Sequence, residues 1–117
     1  MIKGIGLDVT EIERITIAHE RSMKFKERIL THRELDRFEK LNDTRQLEFL
    51  AGRFAAKEAF AKALGTGIGK SCSFHDVEVL PNEMGKPMLF FKEKVVEGYV
   101  SITHTKQFAA AQVILVE

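Results

Sequence analysis

The feature that most constrains the fold is the stretch Asn42–Gly69, which reads NDTRQLEFLAGRFAAKEAFAKALGTGIG. Its interior is rich in Ala and Leu and contains no proline, so intrinsic helix propensity is high. Asn42 or Asp43 can cap the first free N–H groups, with Gln46 placed as a capping-box partner. Gly65 can end the helix, because a left-handed C-terminal residue is easiest without a Cβ. The pattern predicts one long helix followed by a glycine-rich turn.

An apolar stripe marks the face of this helix that should contact the core. Its members recur at spacings of three, four and seven residues: Leu47, Leu50, Phe54 and Ala61. Glu58 borders the stripe, and Lys62 follows four residues later, the better orientation for a helical ion pair. Glu58 therefore has two interpretations, an exposed ion pair with Lys62 or a metal ligand beside a phosphate. The second is compatible with the positive charge that Arg53, Lys57 and Lys62 add to the same turns.

The N-terminal segment Ile2–Val9 is predicted to form a strand. Gly4 and Gly6 within it would let another backbone approach closely. Asp8 lies near the end of the strand. A carboxylate in that position serves as a metal ligand or catalytic group, or as a plain turn or cap residue, and the residues alone leave both roles open.

The next segment carries a cluster of basic residues. Thr10 is expected to cap a helix over about Glu11–Ala18. The segment Arg21–Arg28 follows, RSMKFKER, in which four basic residues surround Met23 and Phe25. One interpretation is a solvated amphipathic helix with Phe25 packed beneath it. The other is a docking face for an acidic partner, where basic residues steer the encounter and an aromatic or Met side chain anchors it.

In the second half of the chain, apolar and polar residues alternate in the way that is typical of strands. Strands are predicted at Phe74–Leu80, Met88–Phe91, Tyr99–Thr103 and Ala109–Val116, with a helical turn at Lys92–Glu97. Helices come first and adjacent strands last, with one strand at the N-terminus, so the predicted class is α+β. A length of 117 residues suits one domain with a modest core, and we expect a single domain over residues 1–117.

Composition argues against several classes of function. A net charge of +1 does not indicate nucleic-acid binding. No run approaches the roughly 20 apolar residues of a membrane span, and the N-terminus does not resemble a signal peptide. Cys72 is the only cysteine, so no internal disulfide can form, and neither thiolate chemistry nor structural zinc is indicated. We therefore expect a cytoplasmic protein that binds neither nucleic acid nor a membrane.

The turn GTGIGKS at Gly65–Ser71 resembles a Walker A loop only superficially. That motif requires a glycine five residues before Gly69, and the position is occupied by Leu64. A Walker loop also follows a strand and opens a helix, whereas this turn closes a helix. We reject the P-loop and retain a turn whose backbone can approach a ligand closely.

The remaining chemical groups are two carboxylates, several cations and glycine turns. Asp8 and Glu58 with these cations fit Mg²⁺-assisted chemistry on a phosphate substrate. The chain resembles the holo-(acyl-carrier-protein) synthases, which are small bacterial 4′-phosphopantetheinyl transferases. The resemblance rests on GIGLDVTEIERI (4–15), FLAGRFAAKEAFAKALGTGIG (49–69), GKP (85–87) and SITHTKQFAAAQV (101–113). It runs essentially from end to end, and the joint occurrence of these motifs in order is highly specific.

The resemblance implies roles for the residues at matching positions. Asp8 and Glu58 would hold Mg²⁺, and Lys62 would join them in catalysis. The coenzyme A phosphates would be bound by Arg45, Arg53, Lys62, Gly65, Thr66 and Gly67. The nucleotide would be held by Gly85, Lys86, Pro87, His104 and Thr105, partly from a neighbouring subunit. The carrier protein would dock on Arg14, Arg21, Lys24, Phe25 and Arg28. Just before Arg45, where some relatives have a basic residue, this chain has Thr44.

The same resemblance implies an activity and an assembly. The 4′-phosphopantetheine arm of coenzyme A would pass to a serine of apo acyl carrier protein in fatty acid biosynthesis, releasing adenosine 3′,5′-bisphosphate. The fold would place the long helix on an antiparallel sheet, and three copies would form a homotrimer with active sites between subunits. Two alternatives remain: a non-catalytic module that binds acidic helical proteins, and a different Mg²⁺-dependent phosphotransferase.

Overall fold

The structure, a computed structural model, describes residues 1–117. The helices are α1 (Ile12–Arg21), α2 (Lys24–Ile29), α3 (His32–Glu39) and α4 (Asp43–Leu64). The strands are β1 (Ile2–Glu11), β2 (Val77–Pro81), β3 (Pro87–Phe91), β4 (Lys94–Val95), β5 (Gly98–His104) and β6 (Phe108–Val116), and a single 3₁₀ turn covers Phe74–Asp76. The predicted α+β class is confirmed.

Two antiparallel sheets, each of three strands, pack with α4. The first has the order β1-β6-β5 and the second has the order β2-β3-β4. The inward side chains of β6 are fully or almost fully buried against α4, among them Ala111 and Val113. A second group of buried residues lies between α4 and the three short helices and includes Ile15, Phe38 and Leu50. The long helix therefore contributes to both parts of the core.

The ends of α4 lie close to where the sequence predicts them. Asn42 caps the helix by accepting a hydrogen bond from the Arg45 N–H at 3.0 Å, and Gly65 ends it with a φ of 89°. Gln46 is not a capping-box partner, because its side-chain amide donates to the carbonyl of Phe38 at 3.0 Å. Ten of the 22 helical residues are buried, so the contact with the core is wider than one stripe.

Strand β1 runs directly over α4 because two of its residues have no side chain. A Cβ on Gly6 would lie 1.8 Å from the carbonyl oxygen of Ala59, and one on Gly4 would lie 2.1 Å from that of Ala63. These separations are far below van der Waals contact. The predicted close approach at both glycines is confirmed, and it places the end of β1 beside the last turns of α4.

Two further predictions of helical structure are wrong, and Phe74–Asp76, predicted as the start of a strand, forms a 3₁₀ turn. Strand β1 continues to Glu11, so Thr10 does not cap α1; its hydroxyl donates instead to Asp8 Oδ2 at 2.7 Å. The segment Lys92–Glu97 is not helical but turns tightly from β3 into β4, with positive φ angles at Lys92 and Glu93. Strand pairing overrides local helix propensity in both places.

The face of the first sheet that points away from α4 is uncovered and apolar. Ile5, Leu7 and Val9 of β1 are each more than half exposed, as is Tyr99 of β5. The register places Ile5 and Tyr99 on either side of Ile114 in β6. Large apolar side chains exposed together on one face of a sheet are typical of an interaction site.

Candidate functional site

Two cavities lie against α4, and we name each by its charged residues. The carboxylate cavity has a volume of about 460 Å³. Residues from four elements reach it: Asp8 of β1, Arg14 of α1, Phe25 of α2, and Phe54, Glu58 and Lys62 of α4. The structure thus brings together the two predicted metal ligands, the predicted catalytic lysine and two predicted docking residues, which come from two separate parts of the sequence, residues 8–25 and residues 58–62.

Asp8 is held from two sides at the edge of the carboxylate cavity. The Lys62 ammonium donates to Asp8 Oδ1 at 3.2 Å and to the carbonyl of Leu7 at 3.0 Å. The Thr10 hydroxyl donates to the other carboxylate oxygen. Lys62 is therefore paired with Asp8, and the helical ion pair between Glu58 and Lys62 does not form. The side chain of Lys62 remains 52% exposed.

The second carboxylate, Glu58, has no ion-pair partner of its own. Burial raises the pKa of Glu58, the negative charge of Asp8 raises it further, and the positive charge of Lys62 opposes both. A cation between the two carboxylates would relieve this repulsion. No third acidic, histidine or cysteine side chain completes a cluster here. This donor set fits Mg²⁺, which commonly takes one or two carboxylates together with water and phosphate oxygens.

The arginine cavity, of about 640 Å³, lies along another part of α4. Five residues predicted to hold coenzyme A line it: Arg45, Arg53, Gly85, Pro87 and His104. Its only acidic lining residue is Glu48, whose carboxylate lies 3.7 Å from His104 Nδ1. The cavity is therefore suited to an anion.

Arg53 is the most firmly held cation of the arginine cavity. Its Nε–H donates to the carbonyl of Val79 at 3.2 Å, and its guanidinium carbon lies 4.2 Å from the centre of the Phe49 ring. Burial lowers the pKa of Arg53 to about 10; Glu34 opposes this shift and Arg37 adds to it. The side chain stays protonated at neutral pH and is oriented before any ligand binds.

Some predicted residues lie outside both cavities. Gly65, Thr66, Gly67, Lys86 and Thr105 line neither, and Arg21, Lys24 and Arg28 lie exposed on the surface of α1 and α2. The carboxylate and arginine cavities also share no residue. Glu58 and Arg53 are five positions apart on α4, so they point in directions that differ by about 140°. One copy of the chain does not unite all the predicted residues in one cavity.

A buried ion pair is the main feature that the sequence interpretation missed. Lys57 was expected to add positive charge beside Glu58, but its side chain is fully buried and points elsewhere. Its ammonium donates to Glu34 Oε1 at 2.5 Å, to the carbonyl of Ile29 at 2.6 Å and to that of Phe74 at 3.0 Å. Burial lowers the pKa of Lys57, and Glu34 opposes the shift.

The fold and the two cavities define an α+β protein with two carboxylates and a lysine in one cavity and a cluster of basic residues in the other. No helix has both the length and the apolar character required to cross a membrane. Residues 4–114 match the model of the 4′-phosphopantetheinyl transferase superfamily. The chain belongs to this superfamily of transferases.

Individual relatives match this chain over nearly its whole length. Holo-(acyl-carrier-protein) synthase of Bacillus pumilus is 59% identical over 116 residues, covering 98% of this chain and 96% of its own. A crystal structure of the synthase from Bacillus anthracis, in complex with CoA (3′,5′-ADP), has a TM-score of 0.89 at 50% identity and covers 98% and 96% of the two chains. The synthase from Neisseria meningitidis also has a TM-score of 0.89, at 34% identity, with full coverage of both chains. The resemblance inferred from the sequence is confirmed.

Proposed function

We propose that this chain transfers the 4′-phosphopantetheine arm of coenzyme A to a serine of apo acyl carrier protein, with Mg²⁺ as its metal. The observation that carries the proposal is the carboxylate cavity, where Asp8, Glu58 and Lys62 lie beside Arg14 and Phe25. Charged groups suited to a reacting phosphate are thus next to groups suited to an acidic protein. The names of the relatives, and the coenzyme A complex of the synthase from Bacillus anthracis, support this assignment.

The proposed reaction is an in-line displacement at phosphorus. The carrier serine oxygen forms a bond to the phosphorus that bears the pantetheine arm, and the bond from that phosphorus to the bridging oxygen of the pyrophosphate breaks. Adenosine 3′,5′-bisphosphate leaves with the bonding electrons. Mg²⁺, when bound to Asp8 and Glu58, would offset the charge that develops on the leaving group.

The protein groups have separate roles in this proposal. Lys62 neutralises phosphate charge, and its exposed ammonium can turn from Asp8 towards a substrate oxygen. Glu58, directly or through a water molecule, accepts the serine proton, because it lies in the cavity where the carrier serine would meet the phosphate. The apolar side chains of Phe25 and Phe54 on the cavity wall would limit access of water to the reacting phosphate.

We further propose that the active form is a homotrimer with sites between subunits. The uncovered apolar face formed by Ile5, Leu7, Val9 and Tyr99 would be buried by a second copy. The division of the predicted residues between two cavities supports the same arrangement, because the arginine cavity of one subunit can complete the carboxylate cavity of the next. Each subunit is proposed to act as a single domain over residues 1–117.

The setting of the reaction is also a proposal. Acyl carrier proteins that receive the arm would serve fatty acid biosynthesis, and a cytoplasmic location fits the single, buried thiol of Cys72. We assign no role to nucleic acid or to a membrane.

The decisive experiment is a transfer assay read by mass. The protein is incubated with coenzyme A, Mg²⁺ and apo acyl carrier protein, and the carrier should gain the mass of the phosphopantetheine arm. Glu58→Gln should lower the rate by about 100-fold or more at saturating Mg²⁺, because a metal ligand and a proton acceptor are lost together. Full activity of this variant would rule out both roles of Glu58.

The same assay separates the alternatives. A non-catalytic module would bind the carrier without adding mass, and it would have no need of Asp8 and Glu58. A different phosphotransferase would consume another phosphate donor and leave coenzyme A intact. Glu13→Gln is a suitable control, since Glu13 is an exposed carboxylate of α1 outside both cavities, and it should leave the rate unchanged.

Docking is tested by the two Michaelis constants. Arg14→Ala and Arg21→Ala should each raise KM for carrier protein by about 3- to 10-fold, with a smaller change in KM for coenzyme A, because rim charges mainly steer an acidic partner. Lys94→Ala, a cation on β4 away from both helices, should change neither constant. Equal effects of Arg21→Ala on both constants would refute the docking role.

A further inference from the structure

The arginine cavity has more cations than the family resemblance assigns. Besides Arg45, Arg53 and His104, the basic side chains of Arg37 and Lys40 line it. Both come from the C-terminal end of α3, where Arg37 lies in the last turn and Lys40 caps the helix. Two consecutive helices therefore direct their basic residues into one concave space.

None of the four arginine and lysine side chains of this cavity is paired with a carboxylate of the protein. None of the four ion pairs in the structure includes Arg37, Lys40, Arg45 or Arg53. Glu48, the one carboxylate of the cavity, lies beside His104. Arg37 is close enough to Arg53 for its positive charge to contribute to the lowered pKa of Arg53. Like charges that converge on a cavity without a counterion are stabilised when an anion binds between them.

The position of the cavity indicates which anion this is. In the proposed reaction, the pyrophosphate of coenzyme A lies at Asp8, Glu58 and Lys62, and none of these residues lines the arginine cavity. Coenzyme A has one other phosphate, the monoester on its ribose 3′ oxygen. This group carries nearly two negative charges at neutral pH and presents three acceptor oxygens, a good match for several Arg and Lys donors.

We propose that Arg37 and Lys40 bind the 3′-phosphate of coenzyme A together with Arg45 and Arg53. Arg53, held by the Val79 carbonyl and the Phe49 ring, is the fixed member of the group. Arg37 and Lys40 are exposed and close over the phosphate from the α3 side. The two residues thereby select coenzyme A over analogues without this phosphate. The inference rests on the proposed function, because it takes coenzyme A as the substrate.

The test compares two ligands that differ only in the 3′-phosphate. Dissociation constants for coenzyme A and for 3′-dephospho-coenzyme A are measured by calorimetry on the wild type, Arg37→Gln, Lys40→Gln and the double variant. We expect the double variant to bind coenzyme A about 10- to 30-fold more weakly, since two charge-assisted contacts are lost. Binding of the dephospho ligand should change by less than about 2-fold.

A control that is charge-matched to each single variant separates the local effect from that of net charge. Lys94→Gln removes an exposed cation on β4, outside both cavities, and should affect the two ligands equally and slightly. The preference of the wild type for coenzyme A should also weaken as salt is raised, and should do so less in the double variant. Equal losses for both ligands in the double variant, or no loss for either, would overturn the inference.

The failure of this inference can be distinguished from that of the proposed function. Calorimetry needs no carrier protein and no turnover. If the wild type prefers coenzyme A and the double variant keeps that preference, Arg37 and Lys40 have no role while the transferase proposal stands. If the wild type binds neither ligand, both proposals fail.

Discussion

Two lysines of α4, five residues apart, form ion pairs with carboxylates from other elements. One pair is buried and the other lies at the surface. Lys57 and Glu34 meet at 2.5 Å with no exposed side-chain surface. Lys62 and Asp8 meet at 3.2 Å at the edge of a cavity, with Lys62 about half exposed. Both pairs join a lysine of the same helix to a carboxylate. Any difference in their roles must therefore come from exposure to solvent and from additional hydrogen bonds.

The buried pair is saturated with hydrogen bonds and joins four elements. Besides the three acceptors of Lys57, Glu34 accepts from the Val79 N–H at 2.7 Å and from the Thr31 N–H at 2.8 Å. The ion pair thereby connects α4 with the end of α2, the start of α3 and the strand β2. A buried charge with every donor and acceptor occupied cannot exchange partners without leaving a group unsatisfied.

The pair at the cavity edge differs because water and ligands reach it. Lys62 can release Asp8 at little cost, since exposed pairs contribute about 0–1 kcal/mol. We infer that Lys57–Glu34 maintains the architecture, whereas Asp8–Lys62 is available for chemistry. The following variants test this division.

The largest effect on stability is expected when each lysine in turn is replaced by methionine. Lys57→Met should lower the free energy of unfolding by about 3–5 kcal/mol, because it leaves the Glu34 carboxylate buried and unpaired. Lys62→Met should lower it by less than about 1 kcal/mol. Urea denaturation of both variants measures the difference.

Activity should follow the reverse order. Folded Lys57→Met should retain most of the transfer rate of the wild type, whereas Lys62→Met should lose most of it. If the two variants were equally stable, or if Lys57→Met lost activity while still folded, the proposed division between architecture and chemistry would be wrong.

The next effect concerns the contact that brings Asp8 to α4. Gly6→Ala should destabilise the protein by about 3 kcal/mol, since the new methyl group would collide with the Ala59 carbonyl and no flexible side chain can yield. Displacement of β1 should also move Asp8 away from Lys62 and lower transfer. Thermal unfolding and the mass assay report the two consequences.

Gly69→Ala is the matched control. A Cβ at Gly69 meets nothing within 4 Å, and its φ is not in the left-handed region. This variant should unfold within about 0.5 kcal/mol of the wild type. Similar stability of the two alanine variants would show that close packing of β1 on α4 is not required.

Much of the fold could be predicted from local signals in the sequence. The Asn42 cap and the Gly65 exit bound α4, the Thr31–Glu34 capping box starts α3, and Gly4 and Gly6 mark the close approach. Each of these depends on residues within one turn of each other, or on the absence of a side chain. Physical rules that act at short range therefore sufficed.

The missed features depend on contacts between residues distant in sequence. Lys57 resembles a surface cation, and Glu34 is fully explained as a cap residue, so nothing local indicates that the two are paired. Asp8 and Glu58 were joined only through the family resemblance, and their metal-binding role is still a prediction. The division between the carboxylate and arginine cavities depends on which other elements pack beside each face of α4, and residue order alone does not give this.

The smallest effect is expected at a third ion pair, Arg33–Glu78, which lies between the two extremes. Glu78 is mostly buried, Arg33 is mostly exposed, and the Thr31 hydroxyl donates to the other Glu78 oxygen at 2.5 Å. Burial would raise the pKa of Glu78, but hydrogen bonds from Arg33 and Thr31 and the charge of Arg33 outweigh it, so the pKa is lowered.

A carboxyl group with a lowered pKa in the folded state stabilises the protein above its unfolded pKa, here about 4.5. That contribution is lost as the pH falls through the folded value. Glu78→Gln should therefore be slightly less stable than the wild type at pH 7, and the gap should close as the pH falls below about 4.5. Urea midpoints of both proteins between pH 7 and pH 3 measure it. If the difference in stability between the two proteins did not change with pH, the packing and hydrogen bonds of Glu78 would matter more than its charge, as we infer for Glu34.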